Sequence, residues 1–531
     1  MQRNTFIVLW LFVLLPVFGL NIGSLVSLDT GLILGNPRTA SGVLEFLGIP
    51  YAAPPVKSLR WKPPQPVRKW NETILAATSY GPSCYSARMG DLTEPQSEDC
   101  LSINVWTKAQ ETCEKAPVMV WLYGGGFEFG WSNSTVYNGT NLALDGVVVV
   151  TFNYRVGVLG FLGLTELDDE QPNSGNYGLQ DQFAALRWVQ ENISRFGGDP
   201  ENVTIFGESA GAHAVGLLMA SGLSSGLFHK AIMQSGSFWS SEHGSLSTFQ
   251  EARTRGSRYR EKLGAAGLAQ LRALPAEEVN GAALWDDRTD PSLTAFSPSI
   301  DGYVLTDSPE VIFAKGGELD IPLLAGFNDH EEIPLFAGRA LPHNTSQQYV
   351  DAMRVFFGEH ADQALLLYPG KTNDQATVSS LELIGDVVIG QPMFEAIDHH
   401  ATHSRHKSFG YHFTYTSPYS PIAAHLAEIA YVFGNLGPNP FIPSPALSSP
   451  ADYKVAKAVM SYWTNFAKTG NPNGPRLTYW PPYDRAAGKI FLEIGNETSA
   501  KVCPSLERFE FIRSVRENFV FPPRWRDLAF T

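Results

Sequence analysis

Basic residues are scarce in this chain: 39 Lys and Arg stand against 53 Asp and Glu, a formal net charge of -14. They form no run or stripe, and an acidic surface repels a phosphate backbone, so a nucleic-acid partner is excluded. Cysteine is rarer still. The four, Cys84, Cys100, Cys113 and Cys503, show no C-x-x-C spacing, which argues against structural zinc. Long apolar runs are missing apart from Phe6 to Leu20, which follows Arg3 and is broken by Pro16. That stretch falls short of the roughly 20 residues a membrane span needs, and with the small residues around Gly19 it predicts a signal peptide over residues 1–20. Arg524 to Thr531 carries no hydrophobic tail, so no lipid anchor is expected. Internal repeats and low-complexity tracts are absent. Charged residues make up only 17% beside 44% hydrophobic ones, a balance that excludes an extended or disordered chain.

Export makes sense of the even cysteine set. Four cysteines permit three pairings; the expected one joins Cys84 to Cys100 across a short loop and Cys113 to Cys503 across most of the chain. Sequons at Asn71, Asn133, Asn138, Asn192, Asn202, Asn344 and Asn496 fit a secreted glycoprotein. Asn202 fits least well, since it opens a buried-looking strand.

Strand signals recur at Leu101–Trp106, Val118–Tyr123, Val147–Asn153, Val203–Phe206, Lys230–Gln234, Ile321–Ala325 and Phe409–Phe413. Helical spacing runs from Leu179 to Phe196 and from Tyr453 to Thr469, ended by Gly470. This alternation predicts an α/β fold with a mostly parallel sheet covered by helices. Residues 245–290 read as a polar helical insertion. Although 531 residues would allow three or four domains, the expected organisation is the signal peptide and a single domain over 21–531.

Within this frame Gly207-Glu208-Ser209-Ala210-Gly211 follows a strand and opens a small-residue helix. A serine hydroxyl is a poor nucleophile and must be lifted clear of the backbone, next to a base and opposite hydrogen-bond donors. A sharp strand-to-helix turn flanked by glycines does this, so Ser209 is a candidate nucleophile; the alternative is a tight turn that packs a helix on a sheet. Gly124-Gly125-Gly126 at the end of a buried strand is either a plain turn or an oxyanion loop, with Gly125, Gly126 and Ala210 as donors. Candidate acids Asp329, Glu331 and Glu332 are equivalent by spacing alone, with a solvated acidic loop as the alternative. Among the histidines, His399, His400, His403 and His406 cluster near a helix end, where positive charge suits the macrodipole better than a metal site. His412 alternates within a strand, and His425 stands alone in a loop; spacing does not choose between them.

The chain resembles the type-B carboxylesterases of the cholinesterase and lipase family over essentially everything after the signal segment. The resemblance lies in Phe46-Leu47-Gly48-Ile49-Pro50-Tyr51-Ala52, Ser97-Glu98-Asp99-Cys100-Leu101, Gly124-Gly125-Gly126-Phe127, Asn153-Tyr154-Arg155 and Phe196-Gly197-Gly198-Asp199-Pro200, which runs into the Ser209 pentapeptide. It implies an α/β-hydrolase fold with a Ser209, His425 and Glu331 triad. The family's acid motif falls on Gly326 and Glu331, and its histidine motif on His425, Glu428 and Phe433-Gly434. Glu208 and Ser235 are implied to lie beside the triad. Glu332 and Leu426 stand where the family often has glycine, leaving the register open between Glu331 and Glu332.

The reaction implied is hydrolysis of a small-molecule carboxylic ester through an acyl-enzyme, with no cofactor and no metal. The loop from Tyr85 to Asp99 has no tryptophan to receive a quaternary ammonium and is too short and polar for a lipase lid. A broad carboxylesterase is therefore expected ahead of a lipase or sterol esterase. Some relatives keep the fold as adhesion proteins after losing the nucleophile, but here all three groups are present.

Overall fold

The computed structural model describes residues 21–70, 73–86, 95–170, 175–237, 246–281, 296–333, 344–417, 420–437 and 449–518. The expected signal peptide, the sequon at Asn71 and residues 87–94 of the Cys84 to Cys100 loop lie outside them.

Ten strands build the main sheet: β1 Leu44–Pro50, β2 Ser102–Thr107, β3 Ala116–Leu122, β4 Val148–Phe152, β5 Gly198–Glu208, β6 Lys230–Gln234, β7 Leu323–Asn328, β8 Ser408–Phe413, β9 Ile490–Ile494 and β10 Ser499–Val502. Their order across the sheet is β10-β9-β8-β7-β6-β5-β3-β4-β2-β1. From β9 to β4 every neighbouring pair is parallel. The flanks, β9 with β10, β4 with β2 and β2 with β1, are antiparallel. Central parallel strands are covered on both faces, which is why Val-Val-Val-Thr-Phe of β4 is apolar without alternation and buried throughout.

The helices that matter for the site are α1 Tyr177–Asn192, α2 Ala210–Ala220, α3 Gln391–His403 and α4 Pro450–Thr469. α4 starts three residues before its apolar pattern does. Ser449 and Asp452 form a reciprocal capping box, Pro450 sits in the first turn, and Gly470 at φ 73 ends the helix. The insertion is helical as expected, with Phe249–Lys262, Leu268–Ala273 and Ala276–Gly281.

Two sequence expectations need correction. The strand read over Ile321–Ala325 lies at Leu323–Asn328. Pro322 has no N–H for a ladder, and the residues taken for the start of the acid loop continue the strand. Cys84 and Cys100 are bonded, but Cys113 and Cys503 are free thiols, exposed and buried respectively. Cys113 precedes β3 and Cys503 follows β10, six strand spacings away. That is about 29 Å across the sheet, whereas a disulfide needs Cα atoms within about 7 Å.

Asn344 and Asn496 are exposed, while Asn133, Asn138 and Asn202 are half-buried. Asn192 is buried and its amide donates to the Trp188 carbonyl at 3.0 Å, which excludes it as a glycan acceptor in the folded chain.

Candidate active site

Parallel neighbours end together, so β3, β5, β6, β7 and β8 deliver their C-terminal loops to one edge of the sheet. β5 turns into α2 at Ser209, whose φ of 56 and ψ of -125 are unfavourable for any residue with a Cβ. The strained turn is pinned from both sides. Ser209 N–H donates to the Gln234 carbonyl at 2.9 Å, and its own carbonyl accepts from His213 N–H at 2.9 Å. Gly211 is dictated by close approach, because a Cβ there would lie 2.0 Å from the Leu122 carbonyl oxygen. The serine itself keeps 8% of its surface exposed at the mouth of the turn.

Beyond β3, Tyr123 stacks on Tyr154 with ring centroids 4.3 Å apart, and each hydroxyl donates to the other residue's carbonyl. This double clasp fixes the start of the Gly124 to Gly126 loop. Gly125 has φ 110, open only to glycine, and its carbonyl is turned into the loop by the N–H groups of Glu128 and Phe129. Among the described residues the Gly125 and Gly126 amides donate to no backbone carbonyl. Ala210 lies in the first turn of α2, where helix geometry leaves the N–H without an intrahelical acceptor. The three expected donors thus belong to a loop and a helix start that border Ser209: a Cβ on Gly124 would be 3.0 Å from Ser209 Cβ.

The acid loop follows β7. Glu331 Oε2 lies 2.6 Å from His425 Nδ1, and both residues are buried. The Asn328 N–H donates to the other oxygen, Oε1, at 2.6 Å. His425 is held by backbone as well, its N–H donating to the carbonyls of His330 at 3.2 Å and Ile333 at 2.9 Å. Glu332 points elsewhere, its Oε1 lying 3.1 Å from His330 Nδ1. That bond, first among several influences, pushes the His330 imidazole up from its ordinary value. Asp329 pairs with His412 Nε2 at 3.3 Å, and the hydrogen bond from His412 holds its carboxyl below the usual range.

A cluster of buried carboxyls lies around the imidazole. Glu208 Oε1 is 3.2 Å from His425 Nε2 without the alignment of a hydrogen bond, and neither Glu208 oxygen accepts one among the described residues. Burial, then the charges of Glu428 and Glu331, push Glu208 well above its usual range. Glu428 accepts from the side-chain amides of Gln234 at 3.0 Å and Asn328 at 2.6 Å. Ser235, at φ 51, is anchored by its N–H to the Gly326 carbonyl at 2.8 Å. Gln234 and Asn328 were missed in the sequence. Their signal is a polar amide at the end of a strand whose middle is apolar.

The four histidines near the end of α3 do not converge. His399 lies 3.2 Å from Glu395, His400 contacts Glu318 and the Ile321 carbonyl, each at 2.8 Å, and His403 reaches the Ala314 carbonyl at 3.1 Å. His406 is exposed.

The acid loop packs on a π-helical turn, Asp386–Gly390, through Glu332 and Gly385. Burial pushes the Asp386 carboxyl up from 3.8 to about 7 against the lowering by Tyr368 and Arg508, with Glu382 and Glu332 adding to the rise. A carboxyl raised in the folded state binds its proton more tightly there than when unfolded. Its contribution to stability is whole below about pH 4 and is lost as pH rises through about 7. Asp386→Asn removes the titration. The stability of the variant relative to the parent is expected to rise by up to about 4 kcal/mol between pH 4 and 8. Paired melting curves at five pH values check this, and a constant gap across the window refutes it.

Residues 23–512 match the profile of the Carboxylesterase family. The chain is 38% identical over 495 residues to fumonisin B1 esterase of Sphingopyxis macrogoltabida, covering 88% of each. It is 36% identical over 463 residues to para-nitrobenzyl esterase of Bacillus subtilis (strain 168), covering 84% of this chain and 90% of that one. It is also 34% identical over 518 residues to liver carboxylesterase 1 of Mus musculus, with 88% of each covered. Among solved structures, a thermophilic para-nitrobenzyl esterase superposes with a TM-score of 0.80 at 32% identity over 92% of this chain and 100% of that one. Fold and sequence thus agree: the chain belongs to the carboxylesterase family, has its α/β-hydrolase fold, and is a carboxylic ester hydrolase.

Proposed function

We propose that the protein hydrolyses small carboxylic esters through a Ser209, His425 and Glu331 triad. The observation that carries this reading is the 2.6 Å contact between His425 Nδ1 and Glu331 Oε2 at the strand ends that also present the strained Ser209 turn. His425 Nε2 takes the hydroxyl proton as Ser209 Oγ attacks the ester carbonyl. The amides of Gly125, Gly126 and Ala210 hold the oxyanion of the tetrahedral intermediate. On collapse the C–O bond to the alcohol breaks, and His425 returns the proton to the leaving oxygen. Water, deprotonated by the same imidazole, then cleaves the acyl-serine and releases the acid. Glu331 fixes the tautomer of His425, the buried Glu208 lies beside the imidazolium formed in each half-reaction, and Glu428 is held near them by Gln234 and Asn328. Ser235 packs beneath them.

The chain is read as a secreted protein, with a signal peptide over 1–20 and a single catalytic domain over 21–531. The Cys84 to Cys100 disulfide supports an oxidising compartment, and the exposure of the sequons Asn344 and Asn496 suits glycan attachment. The loop closed by this disulfide has no tryptophan, and its ends are only 16 positions apart. Two of the relatives are named for esters of different kinds, para-nitrobenzyl and fumonisin B1. Both points favour a broad esterase for soluble or moderately apolar substrates. An ester panel varied separately in acyl chain and alcohol tests it. Rapid turnover of short p-nitrophenyl esters and little of emulsified long-chain triglycerides is expected; a rate jump at the oil-water interface overturns the reading.

A further inference from the structure

Asn328 closes β7 and is buried. Its backbone N–H donates to Glu331 Oε1 at 2.6 Å, the oxygen that His425 does not use. Its side-chain Nδ2 donates twice, to the carbonyl of Ala424 at 2.9 Å and to Glu428 Oε2 at 2.6 Å. Ala424 immediately precedes His425, and Glu428 lies three residues after it. One residue therefore touches the acid on one side and brackets the histidine loop on the other.

The chemistry admits an amide here and little else. Both acceptors lack protons of their own when Glu428 is ionised, so the group between them must supply two N–H bonds from one atom. A carboxylate has no donor and a hydroxyl has one. The orientation of the neighbouring amide is fixed in the same way. Trp463 Nε1, a donor only, occupies Gln234 Oε1 at 3.0 Å, so Gln234 must present its Nε2 to Glu428. Glu428 thus accepts from two amides, an environment suited to the anion. Burial and the charge of Glu331 nonetheless raise the Glu428 carboxyl above its ordinary value, and the bonds from Asn328 and Gln234 offset that rise in part.

We propose that Asn328 is a positioning residue for ester hydrolysis, whose side-chain amide holds the His425 loop in register with Glu331 and orients Glu428 beside it. This rests on the triad reading above. The titratable groups that face one another here are Glu208, Glu331, Glu428, His425, His213 and the hydroxyls of Tyr411 and Tyr137.

The test is Asn328→Ala assayed with p-nitrophenyl butyrate. kcat is expected to fall by about 10- to 100-fold, the range for a small misplacement of a catalytic group, with KM within about 3-fold. Glu428, already raised by burial, loses one of the bonds that lower it and takes up a proton more readily, so less negative charge faces the Glu331–His425 pair. The acid limb of the kcat/KM profile therefore moves to lower pH. Should the alanine variant not fold, Asn328→Ser keeps one donor and is expected to show the same split in milder form. An unchanged kcat, or a loss of kcat and Tm with the acid limb in place, overturns the proposal. Failure of the triad reading is distinguishable, since it shows as activity within tenfold of the parent in a Ser209→Ala control.

Discussion

Ser209→Ala is expected to lower kcat by a factor on the order of 10⁴ to 10⁶, or about 5 to 8 kcal/mol of barrier, without changing the fold. The size follows from the division of labour in the site. The hydroxyl alone forms the covalent intermediate, and without it the amides of Gly125, Gly126 and Ala210 can still polarise a bound carbonyl, leaving a small residual rate. The fold should survive because alanine occupies the same strained backbone at φ 56, and the bonds that pin the turn, from Ser209 N–H to Gln234 and from His213 N–H to Ser209, use backbone atoms only. Glycine at this position is a weaker control, since it relieves the strain and lets the turn relax. A fluorophosphonate should label the parent on the peptide that carries Ser209 and leave the alanine variant unlabelled. Esterase activity within tenfold of the parent would remove Ser209 from the mechanism.

The fold was legible wherever burial forces a pattern. Val148–Phe152 and Lys230–Gln234 read as strands because a parallel strand covered on both faces has no polar side to break its apolar run. The elbow was legible because its geometry demands glycine next to a particular backbone oxygen, and Gly211 against Leu122 is that demand. Elements decided by tertiary contact were harder to read. β7 extends through Gly326, Phe327 and Asn328 because it pairs with β8 as far as Phe413, and nothing local in those residues announces a strand. The pairing of Cys113 with Cys503 failed for the same reason: parity allows it, but strand order places the two residues on distant parts of the sheet. His412 and His425 were equivalent in the sequence, and only the resemblance separated them. In the structure each has its own carboxylate, Asp329 for the first and Glu331 for the second.

The neighbouring pair Glu331 and Glu332 offers the sharpest contrast, because both are buried carboxyls in one loop and only one faces the imidazole at His425. Glu331→Gln keeps the volume and can still accept through its oxygen, but it removes the charge that stabilises the imidazolium and allows the amide to present N–H toward the ring. Where a triad carboxylate is replaced by an amide, wrong-tautomer trapping costs up to about 10⁴ in kcat. A loss of about 10² to 10⁴ is expected here, the lower end reflecting the oxygen of the new amide, which can still accept from the ring. Glu332→Gln breaks the contact with His330 instead. Its expected cost is under about tenfold in kcat, with a drop in Tm, because the His330 ring loses its partner while the backbone N–H and carbonyl of His330 still bond Ala423 and His425. Steady-state kinetics of the two variants side by side decide the register. If the Glu332 variant is the slower by orders of magnitude, the acid has been placed one residue too early and His425 must turn to meet it.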